Sequence, residues 1–351
     1  MSYLDNIRKV TPYTPGEQPK VEGEIIKLNT NEFPYPPSPM VEKALNSLEL
    51  DKLRLYPNVT AAPIVKALSE YYGFDEDEIF VGVGSDDVLA NCFLTFFGSD
   101  KPVLFPDITY SFYDVWTELY RIPYETIPLN ENFEINVEDY YKENGGIVIA
   151  NPNAPTGINL PLSAIEDILE HNKDSIVIVD EAYVDFGGQS AMPLTRKYDN
   201  LVVVQTFSKS RAGAGMRIGY AVANKILIKY LSDVKFSINS YTMNQMAIAS
   251  GVASVKDDKY FKETVARVIE TREWAKEELV KLGFNVLDSK TNFVFASHKD
   301  KSAKEIFEYL KTKNIFVRYF SKPRIDNWLR ITIGTDDQMK KLVDILSEYL
   351  A

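Results

Sequence analysis

The sequence of 351 residues contains one cysteine, Cys92, which excludes a disulfide framework and any cysteine-built metal centre. Its two histidines, His171 and His298, lie far apart, so no metal ligation is expected. Long hydrophobic runs are also missing, with nothing near the roughly 18–20 apolar residues a membrane span requires. The opening Met1-Ser2-Tyr3-Leu4-Asp5-Asn6 lacks the basic-then-apolar order of a secretory leader, which points to a cytoplasmic protein. Positive charge is in deficit: 39 basic residues face 50 acidic ones, a formal net charge of −11. That balance argues against nucleic acid or an anionic membrane as partner, but it leaves room for a local basic pocket.

What is present is ordinary for a globular protein, 45% hydrophobic and 25% charged, and long enough to bury sizeable cores. Proline is concentrated at the start, in Pro12, Pro15, Pro19, Pro34, Pro36, Pro37 and Pro39. Proline fixes φ and lacks an N–H donor, so residues 1–40 read as an extended arm. Beyond it, Val41–Leu48 and Ala62–Tyr72 show helical spacing. Seven short apolar runs follow: Ile79–Val83, Val103–Phe105, Glu125–Leu129, Ile147–Ala150, Ile176–Val179, Leu201–Val204 and Ile218–Val222. A run such as Ile176-Val177-Ile178-Val179 has no polar alternation, as expected of a parallel strand covered on both faces. The expected fold class is α/β, with a large domain over 41–240 built on a mostly parallel seven-stranded sheet.

The pattern changes around Ser237–Ser250. A long amphipathic helix is predicted from about Lys256 to Leu282, stopped by Gly283. Strands at Phe293–Ala296, Phe316–Tyr319 and Leu329–Ile333 mix with helices near Ala303–Lys313 and from Asp336, giving a smaller α+β domain over 241–351. No internal repeat or low-complexity tract is present.

Two glycine clusters mimic nucleotide motifs. Gly82-Val83-Gly84-Ser85-Asp86-Asp87 lacks the third glycine of a dinucleotide-binding turn, and Gly213-Ala214-Gly215-Met216-Arg217-Ile218-Gly219 has the wrong spacing. On spacing alone the first fits equally well a phosphate-holding helix N-terminus or a plain turn capped by Ser85 or Asp86.

In open α/β sheets ligands bind beyond the carboxyl ends of the strands. Four segments lie there: Gly84-Ser85-Asp86, Asn151-Pro152-Asn153-Ala154-Pro155-Thr156-Gly157, Asp180-Glu181-Ala182-Tyr183, and Thr206-Phe207-Ser208-Lys209-Ser210 with Arg217 downstream. Singly, Asp180 reads as a helix cap, Lys209 as a loop lysine and Arg217 as a surface charge. Together, a carboxylate, a tyrosine, a lysine and an arginine at buried strand ends fit one ligand.

With these segments the chain resembles pyridoxal-phosphate-dependent aminotransferases of the aspartate-aminotransferase fold, most closely the histidinol-phosphate aminotransferases. The likeness extends to Pro12-Tyr13-Thr14-Pro15-Gly16-Glu17, Leu28-Asn29-Thr30-Asn31-Glu32-Phe33-Pro34, Arg54-Leu55-Tyr56-Pro57 and Leu329-Arg330-Ile331-Thr332-Ile333-Gly334. It implies that Lys209 forms an aldimine with pyridoxal 5'-phosphate and then moves the proton, that Asp180 pairs with the pyridinium nitrogen, and that Tyr183 donates to the phenolic oxygen. Tyr110 would stack on the ring. Ser85, Asp86, Thr206, Ser208 and Arg217 would hold the phosphate, with Tyr56 reaching the partner's phosphate in a homodimer with shared sites. Relatives often carry asparagine where this chain has Ala154, so Asn153 is the candidate second donor to the phenolic oxygen. Arg330 and Arg318 would grip the substrate anion, helped by Tyr13. The implied substrates are histidinol phosphate and the glutamate/2-oxoglutarate pair, in histidine biosynthesis. The competing readings keep the cofactor: an aromatic amino acid aminotransferase, or a threonine-phosphate decarboxylase.

Overall fold

The computed structural model describes residues 2–19 and 23–351. Among the described residues the strands are β1 (Ile26–Lys27), β2 (Ile79–Gly82), β3 (Val103–Pro106), β4 (Tyr124–Ile127), β5 (Gly146–Ala150), β6 (Val177–Asp180), β7 (Leu201–Thr206), β8 (Gly219–Ala223), β9 (Phe284–Val286), β10 (Phe293–His298), β11 (Ile315–Phe316), β12 (Arg318–Tyr319) and β13 (Leu329–Thr332). All seven apolar runs become strands of one sheet, ordered β2-β8-β7-β6-β5-β3-β4. Its neighbours run parallel except around β8, which is antiparallel to both β7 and β2.

The lack of polar alternation has the expected cause. Val177 and Val179 of β6 pack with the helices Ala62–Tyr72, Leu162–His171 and Gln245–Lys256 on one face. Ile178 points the other way, against the helices Ser85–Phe96, Tyr113–Tyr120 and Lys225–Ile238. Each such fully buried side chain contributes roughly 1.5–3 kcal/mol relative to exposure. The period of two continues past the strand, so Asp180 shares its face with Ile178, and Glu181 turns to the opposite side.

The return from β7 to β8 is short. Its base is closed by Thr206 opposite Gly219 and by a bond from Phe207 N to Ile218 O at 3.0 Å. That closure presents Lys209 and Arg217 on one loop at the sheet's carboxyl edge.

The C-terminal part is a four-stranded antiparallel sheet, β12-β13-β10-β9, packed on the helices Asp258–Lys281, Ala303–Thr312 and Asp336–Leu350. The long helix ends at Gly283, whose φ of +91° suits the residue that stops it. The stretch Phe316–Tyr319, expected as one strand, divides at Val317. Residues Ile315–Phe316 pair in parallel with β1 of the arm, and Arg318–Tyr319 pair with β13. A segment with two partners on different sides cannot be one strand. Among the described residues, no helix is long and apolar enough to cross a membrane.

Candidate active site

Two cavities meet at Lys209. The first, about 140 Å³, is lined by Ser85, Asp86, Tyr110, Asp180, Tyr183, Ser208, Lys209 and Arg217 along with small residues. The second, about 170 Å³, is lined by residues including Tyr13, Asn31, Arg318 and Arg330. Tyr110, Ala154, Tyr183 and Lys209 line both, so the lysine sits at the junction of two compartments.

One end of the first cavity is built for an anion. The helix Ser85–Phe96 starts at Gly84, whose φ is +88° and which makes no side-chain cap, so the alternative of Ser85 or Asp86 as cap does not hold. Uncapped N-terminal amides can donate to an anion. A Cβ on Gly84 would run into the Arg217 guanidinium, and one on Gly219 would meet the Gly84 carbonyl carbon and the Ser85 amide. Only glycines allow this close approach. Arg217 reaches Ser208 Oγ at 3.3 Å and lies 3.6 Å from the Asp86 carboxylate. Thr206 does not line the cavity. Its Oγ1 donates to Ser208 Oγ at 3.0 Å and accepts from the Ser208 amide at 3.1 Å, so it acts by fixing Ser208.

The other end carries Asp180, buried, with Oδ2 accepting from the Tyr113 hydroxyl at 2.8 Å and Oδ1 from the Ala182 amide at 3.2 Å. Burial pushes its carboxyl up to about 6, opposed by those two donors. Tyr110, whose hydroxyl donates to Asp86 Oδ1 at 2.8 Å, stands along the side. Desolvation and the Asp86 charge raise the Tyr110 phenol well above its ordinary value. Lys209 Nζ lies 5.7 Å from the Tyr183 ring centre, and its loop is anchored where Ser210 Oγ donates to half-buried Asp185.

The second cavity is a cationic slot. Arg318 and Arg330 are register partners across β12 and β13, so they share one face of the sheet. Like charges placed opposite one another repel. Burial, with the Arg318 charge beside it, pulls the Arg330 pKa down, and Arg330 Nε is buried without a partner among the described residues. A bound anion would satisfy both arginines. Tyr13 of the arm lines this slot and stacks on Phe112 at 4.2 Å.

Besides Thr206, two expected residues lie elsewhere. Asn153 does not reach the Lys209 cavities: its amide nitrogen donates to Ile108 O and Thr156 Oγ1, each at 3.0 Å, and its oxygen accepts from Thr109. Every polar position of its amide is engaged in holding the loop, which corrects its assignment as a cofactor donor. Tyr56 lines neither cavity. It is 79% exposed and stacked on Tyr241 at 4.5 Å, so within one chain it touches nothing of the site.

No pattern in the sequence singles out the side chains of Asn31 and Tyr113. Asn31 holds a φ of +55°, fixed by Thr332 and Asn292, and donates to the Tyr183 hydroxyl oxygen at 2.8 Å. That leaves the Tyr183 proton free to be donated into the cavity. The stretch containing Asn31 carried the resemblance, but no spacing rule links it to Tyr183.

Compared with known proteins, the profile of the aminotransferase class I and II family matches residues 23–346. The chain belongs to this family. Aminotransferases of this family carry pyridoxal phosphate. Among curated relatives, the histidinol-phosphate aminotransferase of Lactococcus lactis subsp. cremoris (strain MG1363) is 52% identical over 350 residues, covering 100% of this chain and 98% of that one. Histidinol-phosphate aminotransferase 1 of Hydrogenovibrio crunogenus is 52% identical over 344 residues, covering 98% and 96%. The solved histidinol-phosphate aminotransferase from Sinorhizobium meliloti, in complex with pyridoxal-5'-phosphate, matches with a TM-score of 0.85 over 93% of this chain and 91% of that one. At 22% identity that last likeness is one of fold.

The residues present fit the family's cofactor. The glycine cradle, helix amides and Arg217 suit its phosphate. Asp180, a buried carboxylate with no ion pair among the described residues, suits its ring nitrogen, and Lys209 supplies the amine between them.

Proposed function

We propose that the chain exchanges an amino group between L-histidinol phosphate and the 2-oxoglutarate/glutamate pair, in histidine biosynthesis, with pyridoxal phosphate held in the first cavity. The observation that carries this reading is the slot in which Arg318 and Arg330 stand side by side, lined also by Lys209. A phosphate monoester has nearly two charges and three acceptor oxygens, and it uses two guanidinium forks more fully than one carboxylate does. The two full-length relatives at 52% identity support the same substrate.

The cofactor supplies an electron sink for the bond broken at the substrate Cα. Lys209 Nζ holds the cofactor, then takes the Cα proton and returns it on the other side of the exchange. Asp180 would accept a hydrogen bond from the cofactor's ring nitrogen and favour its protonated form. Tyr183 would donate its free proton to the phenolic oxygen, Tyr110 would cover the ring, and Ser85, Asp86, Ser208 and Arg217 would hold the phosphate. Arg330 and Arg318 orient the substrate anion, and Tyr13 closes the slot from the arm.

The same reading divides the chain into an arm over 1–40, a cofactor domain over 41–240 and a smaller domain over 241–351. It also makes the protein a cytoplasmic homodimer. Leu53, Leu55, Tyr56, Tyr241 and Met246 are exposed on adjoining segments, tied by Gln245 bonding to the carbonyls of Lys52 and Leu55. An apolar patch of this kind suits a second copy of the chain, which would bring Tyr56 to the partner's phosphate cradle.

Single-turnover mixing tests the substrate. Histidinol phosphate should bleach the bound cofactor's absorbance far faster than phenylalanine or tyrosine does. Arg330→Ala should slow both histidinol phosphate and glutamate. Arg318→Ala should slow histidinol phosphate disproportionately, by about 10- to 100-fold if one charged hydrogen bond is lost. Equal rates with phenylalanine would favour the aromatic aminotransferase. Carbon dioxide released from threonine phosphate would favour the decarboxylase.

A further inference from the structure

Asp180 is a buried acid that must be charged to serve the ring nitrogen, and no cation pairs with it among the described residues. The groups around it come from four places. Asp86, on the helix Ser85–Phe96, opposes its charge, and Lys209, on the loop after β7, favours it. The Ala182 amide, on its own turn, donates to Oδ1, and the Tyr113 hydroxyl, on the helix Tyr113–Tyr120, donates to Oδ2. The hydroxyls of Tyr110 and Tyr183 lie in the same electrostatic neighbourhood.

Tyr113 has a conspicuous construction. It is fully buried, and its ring packs with Phe93, Phe105, Tyr110 and Trp116. Phenylalanine would fill that aromatic cage as well. The hydroxyl has one partner among the described residues, the Asp180 carboxylate. Burial and the Asp180 charge raise the phenol well above its ordinary value, so it remains a proton donor at every working pH.

We propose that Tyr113 is a positioning residue for catalysis: its hydroxyl keeps Asp180 ionised and turned so that the carboxylate's remaining lone pairs face the cofactor's ring nitrogen. This rests on the pyridoxal-phosphate reading of the first cavity and deepens it. A donor to the carboxylate lowers that group's hunger for a proton, so the shared proton stays on the ring nitrogen. Without the donor, the proton moves toward Asp180 and the ring draws electrons less strongly. Tyr113 touches neither substrate nor reacting atoms and acts through Asp180 alone.

The test is a pH titration of the ring nitrogen by ¹⁵N resonance, on protein loaded with ¹⁵N-labelled pyridoxal phosphate. Losing a hydrogen bond to a charged group makes Asp180 more basic by about one to two pH units, so in Tyr113→Phe the ring ¹⁵N resonance at neutral pH should shift toward that of the unprotonated ring. In the same variant kcat should fall about 10- to 100-fold, with KM nearly unchanged. In an Asp180→Asn background, Tyr113→Phe should cost no further activity, because the group it acts through is gone. Replacing Tyr113 by a ring-fluorinated tyrosine, which keeps the shape and donates more strongly, should shift that resonance toward the protonated ring and serves if Tyr113→Phe fails to fold. An unmoved resonance in either variant, or an undiminished effect in the Asp180→Asn background, overturns the role of Tyr113. Failure of the parent protein to take up the labelled cofactor overturns the pyridoxal reading itself, and is seen before any variant is made.

Discussion

Asp180 and Glu181 are consecutive buried acids, and they serve opposite sides of one sheet. Glu181 is saturated by the protein: Oε2 accepts from Ser190 Oγ at 2.6 Å and Gln205 Nε2 at 2.8 Å, and Oε1 accepts from the Ala191 amide at 2.6 Å. Asp180 has two donors and a cavity. Burial raises both, Asp180 to about 6 and Glu181 to about 7. What separates a functional acid from a structural one is therefore the unsatisfied remainder of its hydrogen-bonding capacity and the direction in which that remainder points. Burial and perturbed acidity fail to separate them.

The comparison breaks most visibly at the group Asp180 faces. Lys209→Ala should lose about 10²–10⁴-fold in turnover through missing proton transfer alone, while still binding cofactor through the phosphate cradle. Turnover near the parent rate would remove Lys209 from the chemistry. Next, Asp180→Asn should slow the first half-reaction far more than it weakens cofactor binding. Glu181→Gln should leave the half-reaction close to the parent rate. Equal losses in a single-turnover assay would erase the distinction between the two acids.

Glu181 should instead be visible in stability. Its folded carboxyl is raised from the ordinary 4.5 to about 7, so the folded state binds the proton more tightly than the unfolded chain. Stability from this site is fully present below pH 4.5 and is lost as pH rises to about 7, on the order of 3 kcal/mol in total. Denaturant titrations across that window should show Glu181→Gln gaining on the parent as pH rises, and parallel curves would contradict the raised value. The smallest effect is expected at Ala154, which lines both cavities. Ala154→Asn places a donor beside the phenolic oxygen, and the pH midpoint of the bound cofactor's visible absorbance should fall by about one to two units. An unchanged midpoint would mean that the position is already served.

The sequence made the large sheet legible because seven runs without polar alternation admit little else. It also made Lys209, Asp180, Tyr183 and Arg217 legible, since the residues after strand ends are where ligands bind. Three features escaped it, each for a stated physical reason. The division at Val317 depends on partners from β1 and β13, which no local pattern encodes. Asn153 looked like a donor because it neighbours Ala154, but three local partners fix its amide away from the cavity. Tyr113 was one of 21 tyrosines, and only the fold shows which hydroxyl meets a buried carboxylate.

The pairing of β1 with β11 has a consequence for how the protein comes into being. Ile26 and Ile315 are register partners, so the strand that secures the arm meets a segment made very late. At about 5–20 residues per second, a ribosome needs roughly 15–60 s to travel from one to the other. Throughout that interval the arm, with Tyr13 and Asn31, has no strand to dock on. Arg318 and Arg330, which those residues join in the slot, emerge later still. A nascent chain can therefore shape the phosphate cradle well before it can hold a substrate, and a truncated product would sequester cofactor without turning it over.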